Sequence, residues 1–449
     1  MKEDQKMVLG VNEKPTKGKW FALSFQHVFA MFGATILVPM LTGLPISVAL
    51  FTSGVGTLIY ILCTKAKVPV YLGSSFAYIA VVAAVSGYAE TGTGHYATAL
   101  TGLLVVGLIY VLISIIIRLV GKSWIEKILP PVVIGPMIAI IGLGLSSVAI
   151  GSSGLSGGTW KEILTAVISL GIVIVIALKG RGFIKIIPFL FGIVGGYIFA
   201  SIVGLVNFSS IVEVFTTPAS WIKIPEFMFL GFKDGTANFL GTNITFYQIN
   251  FAAVLTIAPL AFVTASEHIG DHAVLGKIVG KDFLKDPGLD RTLLGDGLAT
   301  SFAALVGGPA NTTYGENTSV VGMTKVASVW VTGGAAVIAI ILSFLNIFTT
   351  IVASIPAPVM GGISIILYGF IASNGLKVLF DAKVDMTDTR NLIIVSAMLV
   401  LGLGGSIITF GTFSIYGMSL AAMVGILLNL ILPLAKRKEV KSTLAEEEK

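Results

Sequence analysis

The sequence predicts an all-α, polytopic membrane protein of about fourteen transmembrane segments in two inverted seven-span halves, and three observations lead there. Hydrophobic residues fill 55% of the 449 positions and charged residues only 12%, too little polar surface to solvate a soluble globule of this size. The charges gather at the two ends and in short runs, and many of the stretches between them are long enough to cross a hydrocarbon core of roughly 30 Å. Finally, the basic runs fall on alternate connections, as orientation in a bilayer requires.

Taken in order, the apolar runs are 20–41, 46–63, 68–86, 97–118, 129–149, 161–178, 185–206, 249–268, 292–306, 311–327, 330–348, 355–373, 391–409 and 415–434. With the N-terminus in the cytoplasm, the even-numbered connections share a side and hold Thr64-Lys65-Ala66-Lys67, Arg118 through Lys127, and Lys179-Gly180-Arg181. The same parity collects Lys277 through Arg291, Lys325, Lys377 through Arg390 and Lys436-Arg437-Lys438, whereas the stretch from Ser86 to Thr98 has no Lys or Arg. Both termini are therefore expected in the cytoplasm, which itself requires an even span count. The first eighteen residues lack the apolar region of a secretory signal, so the first span is expected to direct insertion.

The net charge of +6 is explained by these loops and gives no reason to expect nucleic acid. A single cysteine, Cys63, excludes an intrachain disulfide and a thiolate metal cluster. Leu129-Pro130-Pro131-Val132-Val133-Ile134-Gly135 resembles Ile355-Pro356-Ala357-Pro358-Val359-Met360-Gly361, about half a chain later. Seven spans per half, an odd number, would give the second half the opposite polarity, as in transporters built from inverted repeats.

Ionisable residues inside apolar runs carry the most information, because each is costly at bilayer depth unless paired or facing a cavity. Glu267, His268, Asp271 and His272 close the run that begins at Ile249, and Glu267 and Asp271 share a helical face at a spacing of four. Gly307 to Thr318 reads as an interrupted span: a Gly-Gly-Pro breaker, the β-favouring pair Thr312-Thr313, then a helix starting near Gly315 with Glu316 and Asn317 in its first turn. Such a start aims unpaired N–H groups at the midplane. Val68-Pro69-Val70-Tyr71-Leu72-Gly73-Ser74-Ser75-Phe76 breaks the third span in the same way. Carboxylates, backbone donors and the aromatic rings of Phe76 and Tyr314 suit a small, flat, uncharged ligand with both N–H and C=O groups.

At these residues the sequence closely resembles the uracil permeases of the nucleobase–ascorbate transporter family, roughly from Phe21 to Leu434. The likeness rests on Gln26-His27, on Tyr71 through Ala77, on Glu267-His268-Ile269-Gly270-Asp271, on Lys281-Asp282 through Leu289, and on Asn311 through Asn317. A family signature from Glu316 to Lys325 is present, with Ser319 where glycine is usual. The resemblance implies short antiparallel strands in the third and tenth spans, a core domain (20–127 and 249–350), a gate domain (128–248 and 351–435) and cytoplasmic tails (1–19 and 436–449). It implies proton-coupled uptake of uracil across the cytoplasmic membrane. Glu267 and Glu316 would accept from the pyrimidine N–H groups, Phe76 and Tyr314 would flank the ring, and backbone groups at Phe76, Gly315 and Glu316 would meet its carbonyls. His27 and Asn317 would support the site; Glu267 would exchange the proton, and Asp271 stands where some relatives have histidine. The expected partners are the nucleobase, protons and the lipid bilayer, with a homodimer through the gate domain and no cofactor or metal. Purine or xanthine permeases of the same fold are the near alternative. An anion exchanger or channel is further off, since half-helix starts also attract anions, and a membrane enzyme further still, for want of a metal motif or nucleophile elbow.

Overall fold

Helix α1 (Lys17–Thr42) ends where Gly43 takes a left-handed backbone with φ 75°, and α2 (Ile46–Cys63) begins after an extended Pro45. Beyond Pro69 the chain stays extended through β1 (Leu72–Ser74), makes one tight turn at Phe76–Tyr78 and enters α3 (Ile79–Val85). There follow α4 (Ala97–Val120), α5 (Ser123–Ile128), α6 (Pro131–Gly144), α7 (Ser146–Ser152), α8 (Trp160–Lys179), α9 (Pro188–Ile202) and α10 (Ser209–Thr216). Strands β2 (Met228–Leu230), β3 (Gly235–Phe239) and β4 (Thr242–Tyr247) form a small sheet in the order β2-β4-β3, with Met228 opposite Thr245 and Gly235 opposite Phe246. Next come α11 (Phe251–Ile257), α12 (Leu260–Val279), α13 (Leu289–Leu305), β5 (Asn311–Thr313), α14 (Gly315–Thr324), α15 (Val329–Phe344) and α16 (Asn346–Ala353). The chain closes with α17 (Ala357–Asp381), α18 (Thr389–Leu403), the hairpin β6 (Ile407–Phe410) and β7 (Phe413–Tyr416), and α19 (Gly417–Ile431). This computed structural model describes residues 7–87, 95–182, 184–411 and 413–433; the expected C-terminal tail, with Lys436-Arg437-Lys438, lies outside them.

Among the described residues, six helical stretches are long and apolar enough to cross a membrane: Lys17–Thr42, Ile46–Cys63, Ala97–Val120, Pro131–Ser152, Trp160–Lys179 and Ala357–Asp381. Helices α11 and α12 form a further candidate, bent by 42°. Large apolar side chains stay exposed along their outer faces, as Leu108, Leu112, Ile115 and Leu119 do on α4. That spacing of three to four residues makes a continuous apolar stripe, the surface a lipid tail requires.

Three features depart from the sequence reading. The run expected to end at 268 instead breaks at Ala258 and Pro259 and continues as α12 to Val279, so the Glu267–His272 cluster lies mid-helix. Pro259 supplies no N–H to the preceding turn, and beyond it His268, Asp271 and His272 each find a hydrogen-bond partner inside the protein. The all-α expectation, with strands only in the third and tenth spans, omits the β2-β4-β3 sheet and the β6–β7 hairpin. Residues 7–14, expected as part of a cytoplasmic tail, pack against the chain at 325–330.

Helix contacts fall into two sets. In one, α4 lies along α13, α2 along both α13 and α15, and α1 along α15; in the other, α6 packs on α17 and α18, α8 on α9 and α17, and α18 on α19. The sets meet where α12 touches α6 and α19 and where α1 touches α9. One buried apolar cluster runs through both, including Met31 and Leu37 of α1, Ile141 of α6, Ala336 of α15 and Met360 of α17. The tightest crossings depend on missing side chains: a Cβ on Gly297 of α13 would stand 2.7 Å from Gly107 O of α4, and one on Gly375 of α17 would stand 2.6 Å from Gly135 O of α6. Replacing Gly297 by Val should therefore force α4 and α13 apart, at a cost of about 1–3 kcal/mol. A clearly lowered unfolding temperature of the purified variant in detergent is the expected result.

Candidate functional site

The site is organised by a ladder of three residue pairs. Strand β1 pairs antiparallel with β5, Leu72 opposite Thr313, Gly73 opposite Thr312 and Ser74 opposite Asn311. Ser75 N donates to Ala310 O at 2.9 Å and Tyr314 N to Tyr71 O at 3.1 Å, which extends the ladder at both ends. Because the strands run in opposite directions, the turn at Phe76 and helix α14 leave from opposite ends of the ladder, about 7 Å apart for two residue steps. Each leaves with a helix N-terminus, and so with N–H groups that have no intrahelical acceptor.

Matching side chains clamp the two strands. Thr57 Oγ1 of α2 accepts from Leu72 N at 2.9 Å and lies 3.2 Å from Leu72 O. On the other strand, Thr300 Oγ1 of α13 accepts from Asn311 N at 3.2 Å and donates to Asn311 O at 3.1 Å. Asn311 Nδ2 also donates to Thr52 O of α2 at 3.1 Å. Gly73 leaves room for the Tyr314 ring, which a Cβ there would meet at 2.3 Å. By contrast, a Cβ on Gly315 would meet nothing within 4 Å, so open space adjoins the start of α14.

The carboxylates come from two elements. Glu267 and Asp271 lie one turn apart on α12; Thr313 Oγ1 donates to Asp271 Oδ2 at 2.6 Å, which ties α12 to β5. Glu316, half-buried, sits in the first turn of α14. Glu267 Oε2 is buried with no hydrogen-bond partner, and so are Thr312 Oγ1, Asn317 Oδ1, Thr318 Oγ1 and Ser75 Oγ around the ladder. Buried polar atoms are rarely left unpaired, and such a concentration points to a polar guest. Behind Glu267, His268 Nδ1 and Asp296 Oδ2 of α13 are 2.8 Å apart and both side chains are fully buried; His272 Nδ1 donates to His268 O at 2.7 Å and its Nε2 hydrogen-bonds Tyr60 Oη. Among the described residues, no three His, Cys, Asp or Glu side chains converge as a metal site.

The structure thus brings Phe76, Glu267, Asp271, Tyr314, Gly315, Glu316 and Asn317 to one strand crossing. Asn317 Nδ2 reaches His27 of α1, 3.0 Å from its carbonyl oxygen and 3.1 Å from Nδ1. Tyr314 is already engaged by the protein: its ring lies on Gly73, Thr35 Oγ1 donates to its hydroxyl, and the hydroxyl donates to Ser74 O, each at 3.1 Å. Sequence reasoning missed Asp296, Thr313 and Tyr368. Tyr368 of α17, in the other helix set, stands edge-on to Phe76 at 5.9 Å between ring centres, and its buried hydroxyl has no partner. A cavity of about 480 Å³ lies elsewhere, lined by Ile46, Asn207, Lys223, Asn346, Thr350 and Ser354; its size does not make it the site, since none of the ladder residues reaches it.

Comparison with known proteins agrees with this architecture. Residues 18–411 match the model of a permease family. The uracil permease of Bacillus subtilis is 46% identical over 448 residues, 98% of each chain; that of Bacillus caldolyticus is 47% identical over 447, again 98% of each; and that of Escherichia coli is 39% identical over 433, covering 95% of this chain and 94% of the relative. Among solved structures, the transmembrane domain of a cyanobacterium bicarbonate transporter, BicA, superposes with a TM-score of 0.57 at 15% identity over 93% of this chain and 99% of that one. The murine anion transporter Slc26a9 in its inward-facing state gives 0.63 at 11% identity over 93% and 68%, and at such identities the likeness is one of fold. With its apolar helices and near-full-length relatives, the chain is a multi-pass membrane transporter that belongs to the xanthine/uracil permease family.

Proposed function

We propose that this chain carries uracil into the cell together with protons, by alternating access between a core body and a gate body. One observation carries the proposal: two helix starts with free N–H groups meet at a single strand crossing beside the carboxylates of Glu267 and Glu316. Uracil is flat and uncharged, with two N–H donors and two C=O acceptors. The two glutamates accept from its N–H groups, the N–H groups at Phe76 and at the start of α14 donate to its carbonyls, and the Phe76 ring covers one face with Tyr368 behind it. Tyr314 contributes through the ladder it fixes. His27 and Asn317 hold α14 to α1, and Thr313 keeps Asp271 an acceptor one turn from Glu267. The relatives that bear the name uracil permease support the same cargo.

For the motion, the first helix set is the core (20–127 and 249–350) and the second the gate (128–248 and 351–435), together fourteen spans in two inverted seven-span repeats. The contacts support the repeat. Exchanging α1 with α12, α2 with α13, α4 with α15, α6 with α17, α8 with α18 and α9 with α19 turns α4–α13 into α15–α2, α1–α9 into α12–α19, and α6–α18 into α17–α8; every resulting pair is in contact. The Thr57 and Thr300 clamps exchange in the same way. Two pseudo-equivalent halves rocking about a central site give access from each side in turn.

Three outcomes follow for labelled uracil in membrane vesicles. Uptake by the intact protein should follow an imposed pH gradient, and Glu267→Gln should lose that dependence; a variant that still follows the gradient rules Glu267 out as the proton carrier. Glu316→Ala removes a charge-assisted hydrogen bond of about 1.5–3 kcal/mol, so uracil affinity should weaken roughly tenfold to a hundredfold; unchanged affinity removes Glu316 from the site. Gly315→Ala meets no protein atom, so it should leave the unfolding temperature alone yet reduce binding by about tenfold or more as the methyl enters the ligand's space. Competition with xanthine and hypoxanthine in the same assay separates uracil from the purine alternative.

A further inference from the structure

Helix α14 has only ten residues, too few to be stable alone, and its N-terminal end is held by the ladder. Its C-terminal end stops at Lys325, whose φ of 58° is a left-handed conformation that a side-chain-bearing residue rarely adopts. Something must hold this end, and the chain's own N-terminal segment lies there. Val8 N and Leu9 N both donate to Lys325 O, at 2.7 and 3.3 Å; Ala327 N donates to Leu9 O and Val329 N to Val11 O, each at 2.9 Å. Leu9 and Val326 form a parallel bridge.

The segment is anchored along its length. Val11 is 3% exposed and joins the buried cluster that contains Leu72 of β1, Val321 of α14, Leu275 of α12 and Tyr60 of α2. Ser328 Oγ donates to Glu13 O at 2.5 Å. The Lys14 ammonium lies 5.3 Å from the Trp20 ring and 4.6 Å from the Trp330 ring, a cation–π contact with the first turns of both α1 and α15. Hydrogen bonds, an apolar plug and a charged pin on seven consecutive residues are more than a solvated tail would make.

We propose that residues 8–14 are a positioning strap for the ligand-facing half-helix: they fix α14 from its far end, hold Gly315 and Glu316 in register with the ladder, and move with the core as one body. The strap touches no substrate. Its relevance to transport rests on the reading of α14 given above; its mechanical role does not.

Two variants test it by hydrogen exchange of the α14 amides in protein without nucleobase, and by KM and Vmax for uracil uptake. Val11→Asp should speed exchange in α14 by about tenfold or more while α6 and α17 keep theirs, and should raise KM more than it lowers Vmax. The second, Leu9→Cys with Val326→Cys in a Cys63→Ser background, locks the strap by a disulfide across the bridge. Oxidation should slow α14 exchange and leave uptake intact, and this variant decides the question if Val11→Asp fails to fold. Unchanged α14 exchange in both variants overturns the proposal, and so does uptake that oxidation blocks and reduction restores, since the strap would then have to detach. Because the exchange measurement contains no nucleobase, altered exchange with an unresponsive uracil KM would indict the assignment of the cargo and leave the strap standing.

Discussion

The β1–β5 ladder is the constraint on which the rest of the structure depends. Breaking two helices inside an apolar protein frees backbone N–H and C=O groups where water cannot satisfy them, at several kcal/mol for each group left alone. Three residue pairs satisfy some of these groups by pairing the breaks with each other, and Thr57 and Thr300 cover the first residue of each strand. The remaining features follow from that arrangement. Gly73 is glycine because the Tyr314 ring occupies the place of its side chain, and Asn311 reaches across to α2 because the strand it begins must be held there. What the ladder leaves without an intrahelical acceptor is the set of N–H groups at the two helix starts, and on the proposed reading these would become a recognition surface once a ligand carbonyl meets them.

The same economy governs the acidic residues. One oxygen of Asp271 accepts from Thr313 and one oxygen of Asp296 meets His268, whose backbone carbonyl in turn receives His272. These pairs stitch α12 to β5 and α13, so the helix bearing Glu267 is fixed on the two sides that face the ladder. Glu267 itself keeps one buried oxygen unpartnered, and Glu316 stands in the first turn of the half-helix opposite. A rigid frame that keeps a buried acceptor unpartnered is better suited to selecting a ligand than one in which every polar atom has found a neighbour, because little has to be reordered on binding.

Much of this was legible in the sequence where the signal is local. The Gly-Gly-Pro at 307–309 and Pro69 announce interruptions through their own backbone chemistry, and Glu267 and Glu316 stand out as charges in apolar surroundings. What stayed hidden depends on partners distant in sequence. Asp296 lies between two glycines and reads as a break in a helix until His268 is seen beside it. Tyr368 resembles any packing aromatic until its ring is found against Phe76 from the other helix set. Residues 228–247 have no clear period because most of their side chains stay partly or wholly exposed, so the small sheet left no pattern to read. The charged run at 12–19 looks like a solvated tail, since one buried valine and a lysine between two tryptophans are invisible without coordinates.

The two halves share a frame and divide the chemistry. Each supplies a threonine clamp, a three-residue strand and a helix start, so the backbone donors come in equal measure from both. The acceptors do not: Glu267, Asp271 and Glu316 all belong to the second half, where the corresponding first-half turn offers Phe76-Ala77-Tyr78. A ligand gripped between them on the proposed reading would direct its N–H groups toward α12 and α14 and offer a ring face to Phe76. On that reading the repeated frame would supply a pivot and paired backbone donors, while divergence at a few positions would give the pocket a direction. A fully symmetric pocket would bind a planar ligand in two flipped orientations and could not present its N–H edge to a single carboxylate, so on the proposed reading the inequality of the halves is what would let substrate and proton meet at one side chain.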